Sequence, residues 1–187
     1  NRLFGEVLGR MGIVPPARVG MCESAPWFIA DGVRQAAPGY ALENAALVTA
    51  FCRARKSAAE IALMQRVKNI TLEVHKAAAS ILREGITTTE VEEFIARAHR
   101  NAGAPGSYFC IVLFGEATAY PHGVNYVQTL QRGDMVLIDT GCKIMGYISD
   151  ITRSYVFGEP TERQRFVWNA EKAAQAAAFE AAQIGTP

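Results

Sequence analysis

The chain has little of what would mark its partners or compartment from composition alone. Its 187 residues carry 19 Lys and Arg against 18 Asp and Glu, a formal net charge of +1. That balance gives no electrostatic footing for nucleic acid or an anionic membrane surface. No apolar run approaches the roughly 18–20 residues that span a bilayer, and no secretory signal pattern stands at the start. Cysteine and histidine are scarce. Cys22, Cys52, Cys110 and Cys142 form no CxxC pair, and none has a His at zinc-ligand spacing, which excludes a zinc finger. All four lie among apolar or small residues and are expected to be reduced, mostly buried thiols of a cytoplasmic protein.

What is present reads as α+β. Residues 1–55 suggest the tail of a separate α/β domain: a helix from Leu3 to Met11, a short buried strand over Arg18–Cys22, and a helix from Pro26 to Ala36. Ala46–Cys52 then reads as strand. From residue 56 onward a second domain is expected. Ile61, Met64, Val67, Thr71, Val74, Ala78 and Ile81 recur at three- and four-residue steps, predicting a helix from Ala58 to about Arg83 that Gly85 ends. Thr87–Thr89 and their acidic neighbours open another helix, and Tyr108–Phe114 reads as a buried strand. Thr161 and Gln164 form a capping-box pattern for an alanine-rich helix reaching about Gln183. His75 and His99 lie on helices with no second ligand at i+3 or i+4, so both are expected to be surface or partly packed residues.

The stretch from Tyr120 to Phe157 carries the chemistry. Asp134–Gly141 and Tyr147–Phe157 are rich in β-branched and aromatic residues and predict a hairpin. A turn centred between Ile144 and Met145 sets Asp139 opposite Asp150. Directly facing side chains have Cβ atoms roughly 4.5–5.5 Å apart, where like charges repel. A shared proton would relieve that repulsion, as would one or two divalent cations held by the carboxylate oxygens. The alternative is a longer turn, with both aspartates facing water. Arg153, three residues past Asp150, falls on the other strand face and is expected to pair with a carboxylate.

His122-Gly123, Gly133-Asp134, the run Val136 to Gly141, Gly146-Tyr147 and Ser149-Asp150-Ile151-Thr152-Arg153 together resemble the pita-bread metallopeptidases. The branch is that of creatinase, aminopeptidase P and prolidase, and the likeness runs from about Ser57 to Pro187. An ordered set of this length is more specific than any short motif. The resemblance implies the first half of a pita-bread catalytic domain in residues 56–187. It implies Asp139 as a terminal ligand of one metal and Asp150 as a bridge between two, with His122 beside them acting on the substrate or the tetrahedral intermediate. The remaining ligands, one His and two Glu, would come from a later stretch, so the 187 residues alone would be inactive.

By the same resemblance the cofactors are two divalent metal ions, Mn²⁺ foremost, with Co²⁺, Fe²⁺ or Zn²⁺ as alternatives. The substrate is a peptide or dipeptide with proline at the second position, and the assembly a homodimer. Two other readings stay open. One is a different pita-bread C–N hydrolase acting on a creatine- or ectoine-like molecule. The other is a metal-free module that binds proteins.

Overall fold

The computed structural model describes residues 2–186 and divides the chain into two compact units, Asn1–Ala58 and Ala59–Pro187. The first unit runs α1 (Arg2–Arg10), β1 (Ala17–Met21), α2 (Trp27–Ala36), β2 (Tyr40–Asn44) and α3 (Ala46–Ala54). Strands β1 and β2 pair in parallel, Ala17 with Tyr40 through Met21 with Asn44, so α2 is a crossover helix. Few apolar side chains are buried in this unit: Val33, Ala37 and Tyr40 are. β1 alternates half-buried Ala17, Val19 and Met21 with exposed Arg18 and Gly20, so it is not the fully buried strand its composition suggests.

The stretch Ala46–Cys52 is helical, not strand. Alanine is the best helix former. The Asn44 side-chain oxygen also accepts the Ala46 N–H at 2.8 Å, satisfying a donor that the first turn leaves free. Leu47, Val48 and Phe51 of this helix are exposed.

The second unit runs α4 (Ala58–Ser80), α5 (Thr88–Asn101), β3 (Phe109–Phe114), a 3-10 turn (Gly115–Ala119), β4 (Met135–Gly141), β5 (Lys143–Ile144), β6 (Tyr147–Ile148), β7 (Ile151–Val156) and α6 (Glu162–Ala181). Complete capping boxes start α5, with Thr87 and Glu90, and α6, with Thr161 and Gln164. α4 ends three residues before Arg83. Gly85 follows at φ +84, its N–H donating to the Leu130 carbonyl at 2.9 Å.

β3, β4 and β7 form an antiparallel sheet in that order. Val112, Phe114, Val136 and Ile138 are buried on one face, against Val74 and Ala78 of α4 and Val91 and Ile95 of α5. On β4 the alternate residues Met135, Leu137 and Asp139 are only half-buried. Helices therefore cover one face, and the other carries the aspartate. No residue of α6 is buried, and its Phe166 and Phe179 are exposed.

His75 and His99 are both buried, contrary to the expectation of surface or partly packed residues. His75 meets the Ile151 carbonyl of β7. His99 Nε2 lies 3.2 Å from Thr71 Oγ1 and its Nδ1 lies 3.0 Å from Ser107 Oγ. Thr71 Oγ1 is 2.7 Å from Ser149 Oγ, which accepts the Cys142 N–H at 2.9 Å. Burial holds both imidazoles below their ordinary value of 6.5. The unfolded chain therefore takes up protons first as pH falls through about 6.5. Stability from these groups is complete above that value and declines below it. We expect the urea midpoint to be lower at pH 5.5 than at pH 7.5; equal midpoints would exclude neutral burial of both rings.

Candidate functional site

Met145 and Gly146 occupy the centre of the hairpin turn at φ 51 and φ 88, and the flanking Ile144 and Tyr147 pair. Positive φ at both central residues is the type I′ arrangement, whose twist matches that of the strands. The turn is thus centred one position later than the sequence suggested, and every cross-strand partner moves by two. Asp139 faces Thr152, not Asp150. The β4–β7 ladder stops at Thr140 and Ile151, leaving Asp150 just outside it. Direct like-charge contact between the two aspartates is absent from this register.

The two residues nonetheless share a side of the hairpin. Ser149 is buried and bonded to Thr71 of α4, so it points toward the helices. Asp150 is exposed, on the alternate side, and Thr152, two residues on, meets Asp139. Thr152 Oγ1 donates to Asp139 Oδ1 at 2.9 Å, which fixes the carboxylate plane. The sequence reading missed Thr152. The signal was its position two residues beyond Asp150, on the same strand face, and it became legible only with the register.

His122 stands in a turn that the Gly123 N–H closes onto the Tyr120 carbonyl at 3.0 Å, with Gly123 at φ +80. A Cβ on Gly123 would lie 3.8 Å from Ile111 Cγ2 and 4.0 Å from Leu113 Cδ2. Ile111 and Leu113 are the β3 partners of Asp139 and Leu137. The His122 loop therefore lies over the same sheet face as Asp139. His122 itself is exposed and borders an open depression with Tyr120, Asn125 and Tyr126.

Asp139 and Asp150 supply hard oxygen donors of the kind that suit Mg²⁺, Mn²⁺ and similar ions. Among the described residues no group of three or more His, Cys, Asp or Glu could hold a metal ion. The two carboxylates fit a metal as part of a ligand set, not as a whole one. Arg153 forms no ion pair among the described residues, contrary to expectation: its Nη1 donates to the Thr152 carbonyl at 2.7 Å. The cysteines also differ from expectation. Cys22 and Cys52 are exposed, Cys110 is half-buried and Cys142 is buried. Burial pushes the Cys110 thiol up to about 11, so it is protonated at neutral pH.

The sequence matches metallopeptidase family M24 over residues 62–187. The chain belongs to that family. It is 35% identical over 155 residues to an uncharacterized peptidase of Schizosaccharomyces pombe, covering 82% of this chain and 34% of that protein. It is 35% identical over 131 residues to the Xaa-Pro dipeptidase of Pyrococcus furiosus, covering 70% of this chain and 38% of the relative. The solved prolidase of Pyrococcus horikoshii superposes with a TM-score of 0.83 at 30% identity, over 89% of this chain and 48% of that structure. The M24 chain thus spans a third to a half of the length of these relatives. Over that span it has the α+β architecture of the pita-bread structures.

Proposed function

We propose that the protein containing this M24 chain hydrolyses Xaa-Pro bonds in dipeptides or at peptide N-termini, with Asp139 and Asp150 as metal ligands and His122 as a catalytic residue. The observation that carries the reading is the convergence on one open sheet face of Asp139, held by Thr152, the exposed Asp150 and the His122 loop. The named activity of the Pyrococcus furiosus relative supports the choice of substrate.

Two divalent cations, Mn²⁺ foremost with Co²⁺, Fe²⁺ or Zn²⁺ as alternatives, would supply Lewis-acid polarisation and a nucleophilic water at neutral pH. Asp139 is the terminal ligand in this reading. Its Oδ1 already accepts from Thr152, so that hydroxyl sets how the carboxylate is presented. Asp150 would take the bridging role; its carboxylate is exposed and makes no hydrogen bond or ion pair among the described residues. His122 hydrogen-bonds the substrate carbonyl oxygen as negative charge develops on it, or carries a proton to the leaving nitrogen.

The compartment proposed is the cytoplasm, where the exposed thiols of Cys22 and Cys52 would stay reduced. Among the described residues no helix is long and apolar enough to cross a membrane. Homodimerisation belongs to the same reading and is checked by light scattering on the full-length protein.

The test is elemental analysis of the full-length protein together with hydrolysis of Ala-Pro and longer Xaa-Pro peptides. About two metals per chain with proline-specific cleavage is expected. Cleavage of a creatine- or ectoine-like compound instead, or a metal-free protein inert toward both, would overturn the proposal. His122→Ala is expected to lower kcat by about 10²-fold with metal retained. Loss of metal in that variant would make His122 a ligand.

A further inference from the structure

β7 is an edge strand, so alternate backbone groups on its outer side have no strand to pair with. The carbonyl of Ile151, the first residue of the strand and the one that follows Asp150, is not among them: it faces Thr140 across the ladder and has a second lone pair to offer. His75 reaches it from α4, with Nε2 2.9 Å from the Ile151 oxygen. A carbonyl only accepts, so Nε2 carries the proton, and the neutral ring leaves Nδ1 bare. That Nδ1 is buried and has no partner. An imidazole buried with one nitrogen unsatisfied is held against a penalty of about 1–3 kcal/mol. Apolar packing alone would favour leucine at this position.

The place of this contact is informative. Asp150 lies outside the ladder, whereas Ile151 is its first residue, and the Ile151 backbone is fixed by Thr140 across the ladder and by the His75 ring on its carbonyl. The ring also lies close enough to Asp139 and Arg153 for their charges to act on it. Ser149, on the other side of Asp150, is anchored to Thr71 of the same helix. α4 therefore grips the chain on both sides of Asp150, whose own side chain makes no hydrogen bond or ion pair among the described residues.

We propose that His75 is a positioning residue for the metal site, donating Nε2–H to the Ile151 carbonyl so that the exposed Asp150 carboxylate is held in place relative to Asp139. The inference rests on the reading of Asp139 and Asp150 as metal ligands. Partners of this kind, which touch no metal, typically change metal affinity by about 10–100-fold when removed.

The test uses full-length protein stripped of metal and titrated with Mn²⁺ alone, followed by the electron spin resonance of free Mn²⁺, with thermal melting on each sample. His75→Gln, whose amide can donate near the former Nε2, is expected to bind Mn²⁺ within about threefold of wild type. His75→Leu, which fills the space without a donor, and His75→Asn, whose donor falls short, are expected to bind about tenfold or more weakly. The Co²⁺-loaded variants should show altered visible spectra. Wild-type affinity and an unchanged spectrum in folded His75→Leu would overturn the proposal. If His75→Leu does not fold, equal affinity of His75→Asn and His75→Gln would overturn it. Failure of the wild-type protein itself to bind Mn²⁺ would instead overturn the assignment of the metal ligands.

Discussion

Asp150→Ala is expected to lower kcat/KM for Xaa-Pro peptides by about 10³-fold or more in the full-length protein, with metal content falling alongside and melting temperature nearly unchanged. The reason lies in how little else this side chain does. It is exposed, its backbone lies outside the β4–β7 ladder, and its carboxylate makes no hydrogen bond or ion pair among the described residues. Truncating such a side chain changes stability by about 0.5 kcal/mol or less. A lost metal ligand removes several kcal/mol of transition-state stabilisation, and each 1.4 kcal/mol or so is a factor of ten. Activity and stability are therefore separable here. They are less so at Asp139, where truncation would also leave the Thr152 hydroxyl without its acceptor. Near-normal turnover and full Mn²⁺ content in Asp150→Ala would remove Asp150 from the site.

Sequence and structure agree most closely where local chemistry decides. The starts of α5 and α6 were legible because capping is a local device: threonine hydroxyls followed by acids mark the first, and the Thr161–Gln164 capping box the second. The antiparallel β4–β7 pairing was legible from β-branched content. Its register was not. The hairpin puts Met145, a residue with a Cβ, at positive φ, so the sequence offered Gly146 as the end of the turn rather than its second central residue. One position of error there displaced every partner of Asp139 by two. The residues of α3 suggest a strand because a short alanine-rich apolar segment fits a strand or a helix equally well, and the Asn44 side chain that accepts the Ala46 N–H is what marks a helix start. The burial of His99 was beyond local reading, since its partners Thr71, Ser107 and, through Thr71, Ser149 come from three other parts of the chain.

Gly141→Ala is expected to destabilise the second unit by about 3 kcal/mol or more, a larger effect than any surface substitution could produce. A Cβ at this position would lie 1.8 Å from the Ser149 carbonyl oxygen, 2.7 Å from its carbon and 3.0 Å from Phe109 Cε1. Neither neighbour can withdraw cheaply. Gly141 pairs with Phe109 of β3, and its own carbonyl accepts the Tyr108 N–H at 2.7 Å, which holds it from that side. On the other side Ser149 is tied at three points. Its N–H donates to the Cys142 carbonyl at 3.0 Å, its hydroxyl accepts the Cys142 N–H, and the same hydroxyl meets Thr71 on α4.

Room for a methyl group therefore requires either a shift of β4 against β3 or rupture of the buried Ser149–Thr71–Cys142 network. Overpacking typically costs about 1–3 kcal/mol, and each buried polar group left unpaired about as much again. The strain would also pass to the next residue, because the Ser149 carbonyl belongs to the peptide that leads into Asp150. Gly141→Ala should accordingly bind Mn²⁺ more weakly even under conditions where the variant remains folded. Urea denaturation measures the first effect and Mn²⁺ titration of the folded variant the second. A wild-type urea midpoint would mean that the Ser149 carbonyl does not press on Gly141, and the close approach that carries Asp150 out of the ladder would have to be abandoned.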